Sequence, residues 1–155
     1  MTLGFPERAY PVHMTPVERH NTPIILFLTL DVQPRGNYLA GAAFKEAFVA
    51  GGSEANAWSI GRYVIMPDHV HLFCSPATVP RVEIKPWSSY LKRCITQHLG
   101  PHDWNWQPDC WDTQLRCREH YSDKWAYVQM NPVRAGLVEQ PEQWPWQGEM
   151  NELRW

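Results

Sequence analysis

Two histidines stand two apart in the run His69-Val70-His71-Leu72-Phe73-Cys74. On a β-strand alternate side chains leave the same face, so both imidazoles project together, about 7 Å apart along the chain direction. Val70 points the other way, into apolar packing. A strand presents two nitrogens to one metal ion in this manner while staying anchored from behind. Pro67-Asp68 starts the strand sharply and fixes its register. The pair alone is equally the pattern of two exposed or structural histidines, and His-X-His serves many unrelated metal sites. It names no reaction.

A second group lies near the C-terminal end. Tyr127 and Asn131 are four apart, which puts them one turn apart on one helical face. Tyrosine brings a hydroxyl, and asparagine a neutral amide oxygen suited to Mg2+ or Mn2+. The same spacing also fits a core tyrosine beside Trp125 and Val128, and a helix-ending asparagine before Pro132.

The elements that must position these residues follow from pattern and punctuation. Residues 22–31 (TPIILFLTLD) read as a central strand, apolar nearly throughout, with Pro23 at its entry. Residues 38–50 read as a helix, with Leu39, Ala43, Ala47 and Phe44, Phe48 at four-residue spacing, stopped by Gly51-Gly52. Residues 57–66 form a second strand and residues 69–74 a third. The short Pro67-Asp68 connection makes these two antiparallel neighbours. Residues 82–99 read as a helix with Pro86 near its first turn. Residues 103–115 are short strand or loop, dense in tryptophan. A helix over 123–130, entered from 118–122, continues or kinks at Asn131-Pro132 and ends at Ala135-Gly136. The order predicts an α+β domain: one antiparallel sheet with helices packed on it. Residues 1–21 are an irregular arm, 22–140 the folded domain and 141–155 an extended tail.

Composition sets limits. The 155 residues, 44% hydrophobic and 19% charged, are those of one globular domain. No apolar run approaches the roughly 18–20 residues that span a bilayer, and the first twenty residues do not form a secretory signal, so a cytoplasmic location without membrane contact is expected. Cys74, Cys94, Cys110 and Cys117 show no zinc-finger spacing and read as free thiols. The net charge of -2 argues against broad non-specific DNA binding, which draws on a basic surplus. Local basic clusters exist at Arg81, Lys85, Lys92 and Arg93, and at Arg116 and Arg118; Arg134 is placed to meet a phosphate. Several of the nine tryptophans lie in polar, proline-containing stretches where they can stack on bases. His98, His102 and His120 read as ordinary surface histidines.

Taken together, the motifs resemble a known family. The run from Tyr63 to Phe73 (YVIMPDHVHLF) is similar to the His-hydrophobic-His motif of HUH single-strand endonucleases, in the form found in insertion-sequence tyrosine transposases. The run from Tyr127 to Val138 (YVQMNPVRAGLV) resembles the tyrosine helix of REP-associated tyrosine transposases, which also carry a Trp-Pro-aromatic tail, here Trp144-Pro145-Trp146. Residues 25–29 sit where that family has its first strand. The resemblance covers roughly residues 22–148. It implies a ferredoxin-like (RRM-like) sheet, Tyr127 as nucleophile, and His69, His71 and Asn131 around a divalent metal, Mg2+ or Mn2+. It also implies single-stranded DNA hairpins of imperfect palindromes as partners, for a monomer or homodimer.

These residue types suit the reaction implied. A divalent ion neutralises the scissile phosphate and orients it for in-line attack. A free tyrosine phenol is only about 0.1% ionised at neutral pH, so the nucleophile needs local activation. Attack gives a 5′-phosphotyrosine and a free 3′-hydroxyl, and the retained ester lets a 3′-hydroxyl reverse the step without ATP. Tyr121, six residues earlier, lies on a different helix face and is assigned to packing or substrate contact. Two other readings stand beside this one: a catalytically silent, domesticated hairpin-binding protein, and an unrelated His-X-His metalloenzyme. The second leaves the run from Tyr127 to Val138 without a reason.

Overall fold

Strands and helices succeed one another much as the pattern requires, and side-chain parity decides what each face of the sheet carries. The computed structural model describes residues 11–18 and 23–154. In order it has β1 (Leu26–Gln33), α1 (Ala42–Glu54), β2 (Trp58–Ile65), β3 (His69–Pro76), α2 (Ile84–Leu99), β4 (Asn105–Trp106) and β5 (Trp111–Gln114). These are followed by α3 (Arg118–Gln129), α4 (Asn131–Arg134), a 3-10 turn (Pro141–Gln143) and β6 (Gln147–Glu149). The six strands form one antiparallel sheet in the order β4-β1-β3-β2-β6, with β5 pairing alongside β4 on β1. The fold is α+β with a ferredoxin-like arrangement.

One face of the sheet is dry. Leu26, Leu28, Leu30 and Val32 of β1, with Val70, Leu72 and Cys74 of β3, meet Phe44, Ala47 and Phe48 of α1 and Trp87, Leu91 and Ile95 of α2. Each fully buried side chain of this size contributes roughly 1.5–3 kcal/mol. The helix α1 runs through Gly51 and Gly52 to Glu54 instead of stopping at residue 50. A Cβ on Gly51 would lie 2.7 Å from the backbone nitrogen of Ile95, so glycine there lets α1 and α2 approach backbone to backbone. It is a packing glycine and not a helix stop.

Strand β2 changes parity midway. Ile60 opposes Cys74 and Tyr63 opposes Leu72, so three residues of β2 span two of β3, a β-bulge. Ile60 and Tyr63 therefore both face the helices α1 and α2, while Arg62 and Val64 turn to the other face. There the Arg62 guanidinium lies 5.5 Å from the ring centroids of both Tyr121 and Trp125.

The second face is half covered. α3 lies on it through Tyr121 and Val128, packing against Ile25, Phe73 and Leu115 and against Val64, Met66 and Trp144. Pro132, lacking an N–H, interrupts the helical ladder, and α4 restarts at Asn131. The terminal segment joins the sheet. Trp144 is buried and its indole donates to the Ile65 carbonyl at 3.0 Å, and β6 pairs with residues 62–64 of β2.

Candidate active site

His69 and His71 emerge from β3 on the second face, with ring centroids 4.7 Å apart. Register places Asp31 opposite His69 and Thr29 opposite His71 on β1. Each ring is held by Nδ1. The Nδ1 of His69 lies 2.8 Å from Asp68 Oδ1, and that of His71 lies 2.9 Å from Thr29 Oγ1. Among the described residues neither Nε2 is engaged, so each ring keeps that nitrogen for an ion, with its orientation fixed from behind as metal-binding imidazoles require. Phe27 stacks on His71 at 5.2 Å. Burial, and then the charges of His69, Lys124 and Arg134, hold the His71 imidazole down to a pKa of about 3. It stays neutral, lone pair available, throughout the physiological range.

The exposed side of α3 faces this pair across Phe27. Lys124 Nζ lies 4.6 Å from the Phe27 ring centroid and 5.6 Å from that of Tyr127. Arg134 lies over the Tyr127 ring at 4.0 Å. It donates to the Tyr127 carbonyl at 2.7 Å and to the side-chain oxygen of Asn131. Tyr127 itself is 59% exposed. Asn131 begins α4 rather than continuing α3, and its oxygen already accepts from Arg134; a carbonyl has two lone pairs, so one remains for an ion. Imidazole nitrogens and an amide oxygen are donor types that suit a hard or borderline divalent metal.

The basic residues divide between faces. Arg116, Lys124 and Tyr127 line one groove with Thr113, Gln114, Leu115, His120 and Asp123. Arg118 lies at the start of α3, in a second groove with Arg62 and Tyr121. Arg81, Lys85 and Arg93 belong to the α2 side of the sheet. Arg81 pairs with Glu18 at 2.7 Å, Lys85 is 3.8 Å from Asp109, and Arg93 lies over Tyr90. Lys92 is placed differently from a surface contact. It is buried, and its ammonium donates to the carbonyls of Gln107 and Asp109 at 2.9 and 2.7 Å, which ties the β4–β5 loop to α2.

Tyr121 is buried, edge-on to Phe73 at 5.0 Å. Burial pushes its phenol up against the opposing pull of Arg62, so it packs, whereas Tyr127 stands exposed. Two residues escaped the sequence reading. For Lys124 the signal was its place three residues before Tyr127, one turn away on the same face, which the expected contacts did not include. Trp111 carried no such signal: it opposes Thr29 in register and is 38% exposed, so it stands on the histidine face with β1 between it and His71.

Comparisons with known proteins bear on the sequence resemblance and the fold. Over 94 residues the chain is 31% identical to the "REP-associated tyrosine transposase" of Escherichia coli (strain K12). A solved structure of a REP-associated tyrosine transposase bound to a REP hairpin superposes with a TM-score of 0.67 at 22% identity, covering 86% of this chain and 82% of that one. The chain resembles the REP-associated tyrosine transposases in sequence and in fold. The sequence match takes in 59% of this chain and spans about half of the curated relative, 52% of its length. No protein-family model matches. Among the described residues no helix is long and apolar enough to cross a membrane.

Proposed function

We propose that this chain nicks and rejoins single-stranded DNA beside palindromic hairpins, with Tyr127 as nucleophile. The observation that carries the reading is the pair of imidazoles, each held by Nδ1 with Nε2 left over, on the face that α3 presents with Lys124, Tyr127 and Arg134. His69, His71 and the free lone pair of Asn131 would hold a divalent ion, Mg2+ or Mn2+. An ion held there would supply charge neutralisation at the scissile phosphate and favour in-line displacement.

The chain's own residues supply the rest. The Tyr127 phenol gives up its proton to solvent and its oxygen bonds to phosphorus, while the bond to the 3′-oxygen breaks and that oxygen takes up a proton from water, giving a 5′-phosphotyrosine and a 3′-hydroxyl. Lys124 and Arg134 flank the ring where the negative phosphate oxygens must come. Arg134 also fixes the Asn131 side chain. The groove through Arg116, His120 and Lys124 leads a strand to Tyr127, and Trp111 offers a ring for base stacking. Arg118 extends the path, and Lys85 and Arg93 border the α2 side where a hairpin stem could wrap, whereas Arg81 is engaged with Glu18 and Pro16. We place the catalytic unit in residues 22–140, and the segment expected to be an extended tail instead completes its sheet through β6 and the buried Trp144.

The test is a suicide assay with Mn2+ and single-stranded oligonucleotides carrying the palindromes that flank the gene. The wild-type chain forms a covalent adduct, and Tyr127→Phe loses it while still retarding the hairpin. An adduct that survives in Tyr127→Phe removes this assignment. A non-cleaving hairpin binder is the second reading, favoured by the Arg134 bond that already occupies Asn131 and by the net charge of -2. Retardation without any adduct in the wild type supports it.

A further inference from the structure

A second cluster of metal-ligating side chains lies on the opposite face of the sheet from His69 and His71, and neither the tyrosine chemistry nor the family resemblance uses it. It is formed by His13, from the N-terminal segment, with Cys110 and Asp112 at the start of β5. One nitrogen of His13, the Cys110 sulfur and one carboxylate oxygen of Asp112 all lie within 4.8 Å of one another. Asp112 opposes Leu28 in register, so it points into the layer beneath α2, where Cys110 is also buried. We propose that His13, Cys110 and Asp112 bind a zinc-class divalent ion that pins the N-terminal segment to β5.

The donor set selects the ion. One imidazole, one thiolate and one carboxylate form the mixed N, S and O environment of a borderline-soft, four-coordinate metal. Water takes the fourth position. Donor atoms around a tetrahedral zinc with bonds of about 2.0–2.3 Å sit roughly 3.5 Å apart, so the three groups close on an ion by small side-chain rotations. On binding, the Cys110 thiol gives up its proton to solvent.

The surroundings are those of a built site. His13 Nδ1 contacts Asp112 Oδ1, while its Nε2 lies 2.8 Å from Asp109 Oδ1. The same Asp109 oxygen accepts from the Cys110 backbone N–H at 2.8 Å. One carboxylate thus orients two of the ligands, the outer-shell arrangement that metal-binding histidines use. Lys92 holds the Asp109 carbonyl at 2.7 Å, which anchors the loop to α2.

The segment that brings His13 is tied along β5 by further bonds. The Gln114 side chain accepts from Val17 N–H at 2.8 Å and donates to the Val17 carbonyl at 2.9 Å. Arg81 donates to Glu18 at 2.7 Å and to the Pro16 carbonyl at 3.4 Å. Three points of attachment, of which the His13 cluster is the most buried, dock a segment with no regular structure of its own. Because β5 runs directly into α3, the ion would brace the strand from which the tyrosine helix departs. Its spacing, a Cys-x-Asp with a histidine nearly a hundred residues upstream, belongs to no finger pattern.

Cobalt is the probe. Full-length, chelator-stripped protein is titrated with Co2+ under reducing conditions and followed by absorption. The expected result is a saturable thiolate-to-cobalt charge-transfer band with intense tetrahedral ligand-field bands. These are lost in Cys110→Ala and in His13→Ala, and kept in Cys117→Ala and His71→Ala, with folding of each variant checked by circular dichroism. His13 lies outside the core, so its variant answers the question if Cys110→Ala does not fold. Zn2+ should displace the band and raise the melting temperature of the wild type but not of His13→Ala. Absence of a charge-transfer band in the wild type overturns the proposal and leaves His13 as a hydrogen-bonded clasp between two carboxylates. A band that persists in folded His13→Ala overturns it as well.

Discussion

The Arg134 guanidinium lies 4.0 Å above the Tyr127 ring centroid and donates to the Tyr127 carbonyl at 2.7 Å. One residue of α4 therefore holds both the ring that ends α3 and, through its second bond, the side chain of Asn131. Charge-assisted hydrogen bonds of this kind are worth about 1.5–3 kcal/mol. Arg134→Ala is expected to slow single-turnover nicking by about 10- to 100-fold. Arg134→Lys should recover little, because lysine lacks the planar fork. An unchanged rate in Arg134→Ala would show that the contact has no part in the reaction.

Thr29 reaches across from β1 to hold His71. Thr29→Val keeps the shape and removes the hydroxyl that lies 2.9 Å from Nδ1. Loss of such an outer partner typically weakens metal binding by about 10- to 100-fold. Mn2+ titration by electron paramagnetic resonance measures it, with melting temperature as the control for folding.

His71 makes stability depend on pH in a defined direction. Burial, then the charges of His69, Lys124 and Arg134, keep its folded pKa at about 3, against about 6.5 in the unfolded chain. Between these values the unfolded state binds the proton and the folded state does not, so stability falls as pH drops from about 6.5 toward 3. His71→Gln cannot titrate. Its melting temperature, measured in chelator, should fall less than that of the wild type between neutral and acid pH; equal falls would exclude His71 as a source of the dependence.

Lys92 distinguishes structure from DNA contact. Lys92→Met fills the same space but leaves the carbonyls of Gln107 and Asp109 without their ammonium. The expected cost is about 1–3 kcal/mol of stability per orphaned group, read by denaturant unfolding. Hairpin affinity of the folded fraction should be unchanged, whereas Lys124→Met should weaken it.

Gly51→Ala tests the close approach of α1 and α2. The new methyl would meet the Ile95 backbone at 2.7 Å, and backbone cannot rotate away. A loss of about 1–3 kcal/mol is expected for such overpacking, even though alanine is the better helix former by about 1 kcal/mol. A gain in stability would place the glycine as a mere interruption.

How much was legible in the chain alone follows from the range of the forces involved. Alternation along β3 put His69 and His71 on one face, whereas the separation of four pointed to a single helix for Tyr127 and Asn131 and the chain instead ends α3 at Gln129 and begins α4 at Asn131. Both readings depend only on the local repeat of the backbone. Proline and glycine marked most element ends for the same reason, since they act on their own torsions. Gly51 misled because its role is set by α2, over forty residues away. The bulge in β2, which turns Arg62 toward α3, comes from pairing with β3 and not from any periodicity in residues 57–66.

What only the tertiary structure decided is which side chains meet. Burial of Lys92 depends on a loop folding under α2, and the place of Trp111 on the histidine face depends on β5 pairing with β1. The meeting of His13 with Cys110 and Asp112 depends on where an arm without periodicity comes to rest. Hydrogen-bond and ligand geometry is sensitive to fractions of an ångström, and contacts between distant segments leave no repeat in the sequence. The sequence by itself determined the pair of histidines and the helix that carries the tyrosine; the packing of α3 across Phe27 decided that they share one side of the sheet.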